Sequence, residues 1–287
     1  MIERIKNNVA VLIKYTLTCW GGLSAFASVW LSFVTWDEMG ITMKSHRILI
    51  LIGLAAAALF ISVIMIFFRN QKKIFGDINK GVALCYGDII KIGFPKAAGP
   101  KRIVVIPVNR CFDLSCEGNL VSRKTVHGQW IERYIRSDSD RKQIQENIQQ
   151  SLNERGAMYE ELTQDNKPKG NLKRYHPGTV VEVEGQDGIT FYLLALSQFD
   201  NALKAHCSEP EFYETLQGLL EYYDAHGQGE DLYCPIMGDH IVRPTRETGD
   251  MIALMLAILR FNKERIHGKI RVVVYNQMKK DVPILEY

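Results

Sequence analysis

Two long apolar runs occupy the amino-terminal quarter of the chain, and a mixed pattern follows them. The first run covers residues 15–36 and the second covers residues 48–68, and neither contains a charged residue. A helix of about 20 apolar residues spans a hydrocarbon core of roughly 30 Å. A retained two-span anchor is favoured over a cleaved signal peptide, which has a shorter apolar region and is not followed by a second span.

Basic residues flank this pair of runs. Arg4, Lys6 and Lys14 lie before the first run, and Arg69, Lys72 and Lys73 lie after the second. The connection at 37–47 carries two basic and two acidic residues. Because Lys and Arg concentrate on the cytoplasmic side, we expect a two-pass protein of the cell inner membrane with both termini and the carboxy-terminal domain in the cytoplasm.

Small and hydroxyl residues recur every three or four positions on one face of the first run: Gly21, Ser24, Ala25, Ser28 and Ser32. Such a face permits close helix contact in lipid. Two interpretations are equally supported. The face packs against the second run of the same chain, which contains Gly53 and alanines at 55–58, or it mediates self-association between chains.

Short apolar runs alternate with amphipathic segments beyond residue 81. The expected strands are 82–90, 102–109, 190–197, 231–238 and 269–276, and the expected helices are 211–225 and 248–263. Buried strands alternating with helices predict an α/β domain of three layers, with a mixed, mainly parallel sheet covered on both faces. The predicted organisation is a transmembrane hairpin at 1–70, a linker at 71–81 and a nucleotide-binding domain at 82–287.

Residues 123–175 form a charged insertion within that domain. Their crowding of charged and amide side chains predicts a solvated helix followed by a mobile loop. A regulatory or partner surface is the alternative interpretation.

Composition excludes some partners and chemistries. The chain has 35 basic and 32 acidic residues, a net charge of +3, and no long block of one sign, so nucleic acid is not the expected partner. Six irregularly spaced cysteines predict reduced thiols rather than disulfides or a metal site. No cofactor is expected, and the histidines at 46, 127, 176, 206, 226 and 267 are interpreted as surface residues.

Polar residues and glycine follow several of the predicted strands. Ligands of open α/β sheets bind beyond the carboxyl ends of the strands, where amides and helix amino termini converge. This rule nominates Asn109, Gly238, Asp239, His240, Tyr275 and Asn276.

Three motifs at these strand ends resemble those of the macro domain, over about residues 83–276. They are GDI at 87–89, IVVIPVN at 103–109 with GNLV at 118–121, and CPIMGDHIVRP at 234–244. The resemblance implies ADP-ribose binding. The expected ligand contacts that it adds are Asp88, Ile89, Gly118, Asn119, Val121, Val242 and Arg243.

The motifs also depart from the family pattern. The loop at 118–121 lacks the usual run of glycines, so binding is expected rather than hydrolysis. Gly238 fits a close approach of the backbone to phosphate. Asp88 and Asn109 fit ligand contacts and strand-end caps equally well.

Two spans followed by a divergent macro domain are similar to the membrane effector of type II Thoeris, a bacterial antiphage system. The resemblance implies that a TIR-domain partner consumes NAD and makes an ADP-ribose-derived messenger such as histidine-ADP-ribose. Binding would drive self-association through the macro domain and the spans, and the lipid bilayer would be disrupted.

Two other functions stay open at this point. A membrane-anchored ADP-ribosyl hydrolase would use Asp239 or His240 to handle a water molecule. A scaffold would anchor other proteins at the membrane without binding a nucleotide.

Overall fold

The computed structural model describes residues 8–36, 38–238 and 248–287. The chain divides into two compact units. The first comprises Met1–Lys72 and Gln277–Tyr287, and the second comprises Lys73–Asn276.

Two helices dominate the first unit, α1 at Val9–Leu31 and α2 at Lys44–Phe68. Both are long and apolar enough to cross a membrane. Large apolar side chains on both helices are exposed, including Phe26 at 71% and Phe60 at 67%. Water would penalise this exposed apolar surface and lipid would not, so both helices are candidate membrane spans by length and composition.

Helix α1 lies five to six residues earlier in the chain than the predicted first span at 15–36. It continues towards the amino terminus through Lys14, whose long side chain can carry its charge away from an apolar helix. It ends at Leu31, after which Glu38 accepts hydrogen bonds from the amide and hydroxyl groups of Thr35 in the connecting turn. Residues 32–36, the last of the apolar run, therefore lie after the helix in the connecting segment.

Most of the small-residue face of α1 is left uncovered within the described part of this unit, and Ser24 is half-buried. Helix α2 packs against α1 and buries Ala58, Ser62 and Ile66. Gly21, Ala25, Ser28 and Ser32 are exposed, and no described atom would lie within 4 Å of a Cβ added at Gly21.

The second unit is built on one mixed sheet. Its strands in chain order are β1 Gln71–Gly76, β2 Gly81–Gly87, β3 Arg102–Asn109, β6 Val180–Glu184, β7 Ile189–Phe199, β8 Ala205–His206, β9 Asp231–Pro235 and β10 Lys269–Tyr275. Their spatial order is β1-β2-β10-β9-β3-β7-β6, with β8 also paired to β7. Strands β2, β10, β9, β3 and β7 are parallel, whereas β6 and β8 run antiparallel to β7. The prediction of a mixed, mainly parallel sheet is confirmed.

Helices cover this sheet: α3 Ile89–Gly93, α4 Val126–Tyr134, α5 Asp138–Glu154, α6 Glu209–His226 and α7 Thr248–Phe261. Short 3₁₀ turns lie at Glu117–Asn119, Lys263–Arg265 and Asn276–Lys280. The amino terminus of α6 carries a capping box, in which Ser208 and Glu211 each accept a hydrogen bond from the other's backbone amide. Strand residues such as Val104 and Ile106 form one buried cluster with residues of α3, α4 and α5, while α6 and α7 bury apolar residues such as Leu216 and Met255.

Several boundaries differ from the expectation, including two between residues 71 and 90. Residues 71–76 form β1 rather than part of a linker. The strand expected at 82–90 ends at Gly87, because Asp88 caps α3 by accepting hydrogen bonds from the amides of Ile90 and Lys91.

The charged insertion is more structured than its composition indicates. It contains α4, α5 and a two-stranded sheet of β4 Tyr159–Glu161 and β5 Lys173–Tyr175. Ile148 and Leu152 bury one face of α5. The expectation of a mobile loop is wrong around Lys167, whose side chain is fully buried.

Candidate functional site

The carboxyl ends of five parallel strands form one edge of the sheet. In spatial order these strands are β2, β10, β9, β3 and β7. Adjacent strands lie about 4.8 Å apart, so the ends of β2 and β3 are separated by about 14 Å. That span suits an extended ligand with several chemical groups.

A cavity of about 390 Å³ lies at the β3, β7 and β9 part of this edge. Its described lining is mostly apolar and has no side chain that carries a full charge. The lining residues are Pro107, Val108, Asn109, Leu120, Val121, Ser122, Thr125, Val126, His127, Leu196, Ser197, Phe199, Leu203, Ala205, Ile236, Met237 and Gly238. We call it the carboxyl-edge cavity.

Asn109 ends β3 and is only 3% exposed. Its Oδ1 accepts hydrogen bonds from the amides of Cys111 at 3.0 Å and Asp113 at 3.4 Å. Its Nδ2 has no hydrogen-bond partner in the part of the chain that the structure describes. The side chain therefore caps the turn after β3 with one atom and leaves a buried donor beside the cavity, so both interpretations of this residue fit at once.

His127 lies in the first turn of α4 and is 5% exposed, so its interpretation as a surface residue is wrong. Burial lowers the pKa of the imidazole to about 3, although a hydrogen bond with the Asp113 backbone opposes this shift. The ring is therefore neutral at pH 7. Its Nε2 has no hydrogen-bond partner among the described residues.

The loop that follows β3 is held by a buried ion pair. Lys167 Nζ lies 2.9 Å from Asp113 Oδ2, and both side chains are at most 1% exposed. The same Nζ donates hydrogen bonds to the carbonyls of Lys169 and Asn171, while Asp113 Oδ1 accepts one from the Asn171 amide at 2.6 Å. Gly170, with φ of 82°, passes so close to the pair that a Cβ would overlap Asp113 Oδ1.

Burial raises the pKa of the Asp113 carboxyl, and the Lys167 charge opposes that shift. The pair connects residues 167–171 of the insertion to the turn that Asn109 caps. The carboxyl-edge cavity thus depends on a segment that composition alone marks as solvated.

The predicted site residues fall into several groups. Val121 and Gly238 line the cavity together with Asn109, and Gly238 has φ of 79°, which glycine adopts without strain. Asp88 lies at the end of β2, with its Oδ1 occupied in capping α3. Ile89 is buried in the core, so its side chain is a packing residue and only its backbone could meet a ligand.

Other predicted residues lie outside the cavity lining. Tyr275 is 46% exposed at the end of β10 and pairs in register with Gly87, which places it next to Asp88; Asn276 follows it. Gly118 is exposed and its carbonyl accepts a hydrogen bond from Lys169 Nζ, while Asn119 ends the same 3₁₀ turn. Asp239, His240, Val242 and Arg243 lie outside the described residues.

A second cavity, of about 410 Å³, lies at the opposite edge, where β7 begins. Its lining includes Phe94, Arg133, Tyr134, Arg136 and Asp140. The Tyr134 hydroxyl donates a hydrogen bond to the Glu184 carbonyl at 2.6 Å. We call it the amino-edge cavity. Among the described residues no cluster of His, Cys, Asp and Glu could hold a metal ion in either cavity.

Comparison with known proteins decides the family. The sequence model described as "Thoeris protein ThsA, Macro domain" matches residues 82–275, which include every strand of the parallel core except one residue of β2. This chain belongs to that family. A curated relative of the ThsA family, "Thoeris protein ThsA" from Bacillus amyloliquefaciens (strain Y2), is 21% identical over 257 residues, covering 88% of this chain and 81% of the relative.

A solved protein of unknown function from Bacteroides thetaiotaomicron aligns over 67% of this chain and 96% of its own. Its TM-score of 0.32 and its 11% identity are too low to indicate a shared fold with this ThsA family member.

His127 is the site residue that sequence patterns missed. It lies in a segment rich in charged and polar residues, which favours an exposed position, yet Trp130, Ile131 and Tyr134 follow at three, four and seven positions. That spacing puts His127 on the apolar face of a helix capped by Thr125. The signal was present in the helical periodicity.

Proposed function

We propose that this chain is a membrane-anchored effector of antiphage defence that senses an ADP-ribose-derived messenger. In this proposal a TIR-domain partner makes the messenger from NAD, and the carboxyl edge of the sheet binds it in the cytoplasm. The bound form self-associates, and its spans disrupt the inner membrane. The protein acts as a receptor and uses no cofactor.

The observation that carries the binding step is the pair of buried polar atoms at the carboxyl-edge cavity. Asn109 Nδ2 and His127 Nε2 lack partners among the described residues. Each unmade hydrogen bond of a buried group costs about 1–3 kcal/mol, which a bound ligand would recover. The family match to a macro domain supports a nucleotide diphosphate sugar as that ligand.

Sensing is favoured over hydrolysis by the chemistry of the described lining. It contains no carboxylate, and its histidine is held neutral with a pKa of about 3. A hydrolase would need a general base poised near the working pH. The hydrolase alternative is tested by incubating the wild type and Asp239→Ala with ADP-ribosylated protein. Release of ADP-ribose by the wild type that is lost in Asp239→Ala would replace sensing by catalysis.

The membrane step is supported by the first unit. Its helices expose apolar side chains along their length, and four of the five residues on the small-residue face of α1 are exposed in the described structure. Such a face allows close packing between helices of different chains. A ligand changes this association only through a difference in affinity between the separate and associated states.

The experiment combines binding and membrane integrity. The full chain is placed in vesicles loaded with a self-quenched dye, and ADP-ribose or histidine-ADP-ribose is titrated in. We expect dye release that saturates together with binding. In Asn109→Asp, which keeps an acceptor for the turn but loses the Nδ2 donor, affinity should fall at least about tenfold, the equivalent of about 1.4 kcal/mol.

The matched control is Asn153→Asp, the same chemical change on the exposed side of α5. Vesicles that contain this variant should release dye at the same ligand concentration as vesicles that contain the wild type. Binding without dye release would reject the membrane step, and absence of binding by any ADP-ribose derivative would leave a scaffold as the function.

A further inference from the structure

Residues 277–287 belong with the two apolar helices, although they follow directly from the last strand of the sheet. The chain passes from the second unit to the first after Asn276. A 3₁₀ turn at Asn276–Lys280 begins this stretch, and Val282, Ile284 and Leu285 within it are at most 5% exposed. We call residues 277–287 the tail segment. Its burial shows that it is a packed part of the first unit.

Two hydrogen bonds join the tail segment to the chain just after α2. Lys72 Nζ donates to the Leu285 carbonyl at 2.6 Å, and Lys279 Nζ donates to Asn70 Oδ1 at 3.1 Å. The bonded residues are 213 and 209 positions apart in sequence, so both contacts are tertiary. Because Asn70 and Lys72 come two and four residues after Phe68, the tail segment is attached where the second candidate span ends.

The same end of the helix pair carries several cations, and we call it the basic end. Arg69 Nη1 donates a hydrogen bond to the Tyr15 hydroxyl of α1 at 2.6 Å, which brings the start of α1 close to the end of α2. The pKa of Lys72 is lowered mainly by burial and further by the charges of Lys14 and Arg69. Glu286 of the tail segment opposes this shift. The tail segment therefore supplies a carboxylate and a carbonyl that offset repulsion between cations of both helices.

The tail segment is also continuous with the edge of the sheet that is predicted to bind the ligand. Tyr275 ends β10 and pairs in register with Gly87, and Asn276 leads into the tail segment. A ligand that contacts Tyr275 or Asn276 therefore acts on residues next to it in the chain. Contacts made in a single chain stabilise the separate state of the helices, and a ligand that weakens them favours the associated state.

We propose that the tail segment is a latch, which holds the basic end of the helix pair in the separate state until ligand binding releases it. This inference rests on the proposed function and adds the element that connects the nucleotide site to the spans. Loss of the latch leaves the cations of Lys14, Arg69 and Lys72 without the groups that offset their repulsion, so the spans should act without ligand. Since coupling is reciprocal, loss of the latch should also strengthen ligand binding.

Charge reversal in the tail segment tests the latch in the full chain, placed in dye-loaded vesicles without ligand. Glu286→Arg adds a cation to the basic end, and we expect dye release at about five times the wild-type rate, the scale of one surface ion pair. High salt should reduce this difference because it screens exposed charges. Asp281→Arg is the matched control, since it reverses a charge at another exposed position of the same segment and should keep the wild-type rate.

Deletion of residues 282–287 removes the latch altogether. Vesicles with this variant should release dye without ligand as fast as the wild type does with saturating histidine-ADP-ribose. Its affinity for histidine-ADP-ribose should rise about fivefold through the reciprocal coupling. Binding by this variant also shows that the second unit is folded.

A reversible cross-link tests the opposite state. Asn70→Cys with Lys279→Cys, joined by a short thiol reagent that forms disulfides, keeps the tail segment attached at one of its two observed contacts. We expect dye release at saturating histidine-ADP-ribose to fall at least about tenfold, the range of a strong coupling between sites, and to return after reduction of the link. Each single cysteine variant, treated with the same reagent, controls for the native thiols.

The outcomes separate the latch from the function on which it rests. Wild-type rates in both Glu286→Arg and the deletion variant would overturn the latch, and the proposed function would stand if the ligand still released dye from the wild type. A deletion variant that binds the ligand but never releases dye would also overturn it, because the tail segment would then transmit the signal and not restrain the spans. A wild type that binds without releasing dye would reject the membrane step and the latch together.

Discussion

The two cavities of the second unit have similar volumes, about 390 and 410 Å³, but different chemistry. The amino-edge cavity is lined by exposed charged residues such as Arg133, Arg136 and Asp140, which water can solvate. The carboxyl-edge cavity has no charged side chain in its described lining, which includes Asn109 and His127, each with one buried polar atom that lacks a partner among the described residues. The two cavities therefore differ in the burial of their polar groups rather than in their size.

Volume does not distinguish the two cavities, whereas the burial of their polar groups does. A pair of solvated arginines costs the protein little, whereas a buried unpaired donor costs about 1–3 kcal/mol. A buried polar group without a protein partner is expected where a bound ligand or an ordered water supplies the missing hydrogen bond. Substitutions in and around each cavity distinguish a carboxyl-edge cavity that is held in shape by buried polar groups and binds the ligand from one that does not.

The largest effect is expected from breaking the ion pair behind the carboxyl-edge cavity. Lys167→Met leaves the Asp113 carboxyl buried without its cation, which should destabilise the unit by about 3–5 kcal/mol. For a unit of this size the melting temperature should fall by about 10 °C. Near-ultraviolet circular dichroism of the full chain in detergent would measure the shift.

Lys169→Met is the matched control for this change. Lys169 lies in the same segment but is exposed, and its amino group donates to the Gly118 carbonyl. It should shift the melting temperature by about 2 °C at most, as exposed charges contribute little. Combining Lys167→Met with Asp113→Leu should recover much of the loss, because the unpaired buried charge is removed. Equal shifts for the two lysine variants would mean that the pair does not hold this loop.

The main elements of the second unit are predictable from sequence because their signals are local. The run at 102–109 matches β3 in both bounds, and the helix expected at 248–263 is α7 at Thr248–Phe261. The hydrophobic periodicity of each segment indicates the apolar face on which that helix or strand packs. The two long apolar helices are likewise present, with the first displaced towards the amino terminus.

The site was only partly predictable because its decisive features are not local. Asn109, Val121 and Gly238 follow from strand ends and motifs, and the structure brings them together. Lys167 is buried by a partner 54 positions earlier, Asp113, and no composition rule for a charged segment indicates that. The burial of His127 follows from the helical periodicity of its own segment, but its place in the wall of the cavity required the tertiary structure.

A smaller effect is expected from the pH dependence of stability. The unfolded imidazole of His127 has a pKa near 6.5, whereas burial lowers the folded value to about 3. The unfolded state therefore binds more protons in this window, and stability is lost as the pH falls from about 6.5 towards 3. Between pH 7 and pH 5 the loss should be about 2 kcal/mol, or about 6 °C in melting temperature.

His127→Gln should remove this contribution to the change of melting temperature with pH. His226→Gln, at an exposed position, should leave that contribution unchanged. The comparison isolates His127, since burial raises the Asp113 pKa and contributes a slope of opposite sign in all three proteins. Equal slopes in the wild type and in His127→Gln would show that the ring is hydrated and not held neutral by burial.

The smallest effect is expected at the amino-edge cavity. Arg133→Ala with Arg136→Ala removes both cations of that lining, yet affinity for ADP-ribose should stay within about twofold, because the two cavities lie at opposite edges of the sheet and exposed charges act weakly over that distance. Calorimetry on the full chain measures this, at one salt concentration throughout. A loss comparable to that of Asn109→Asp would mean that guanidinium groups, and not unpaired buried atoms, recognise the diphosphate, and the comparison between the cavities would then be reversed.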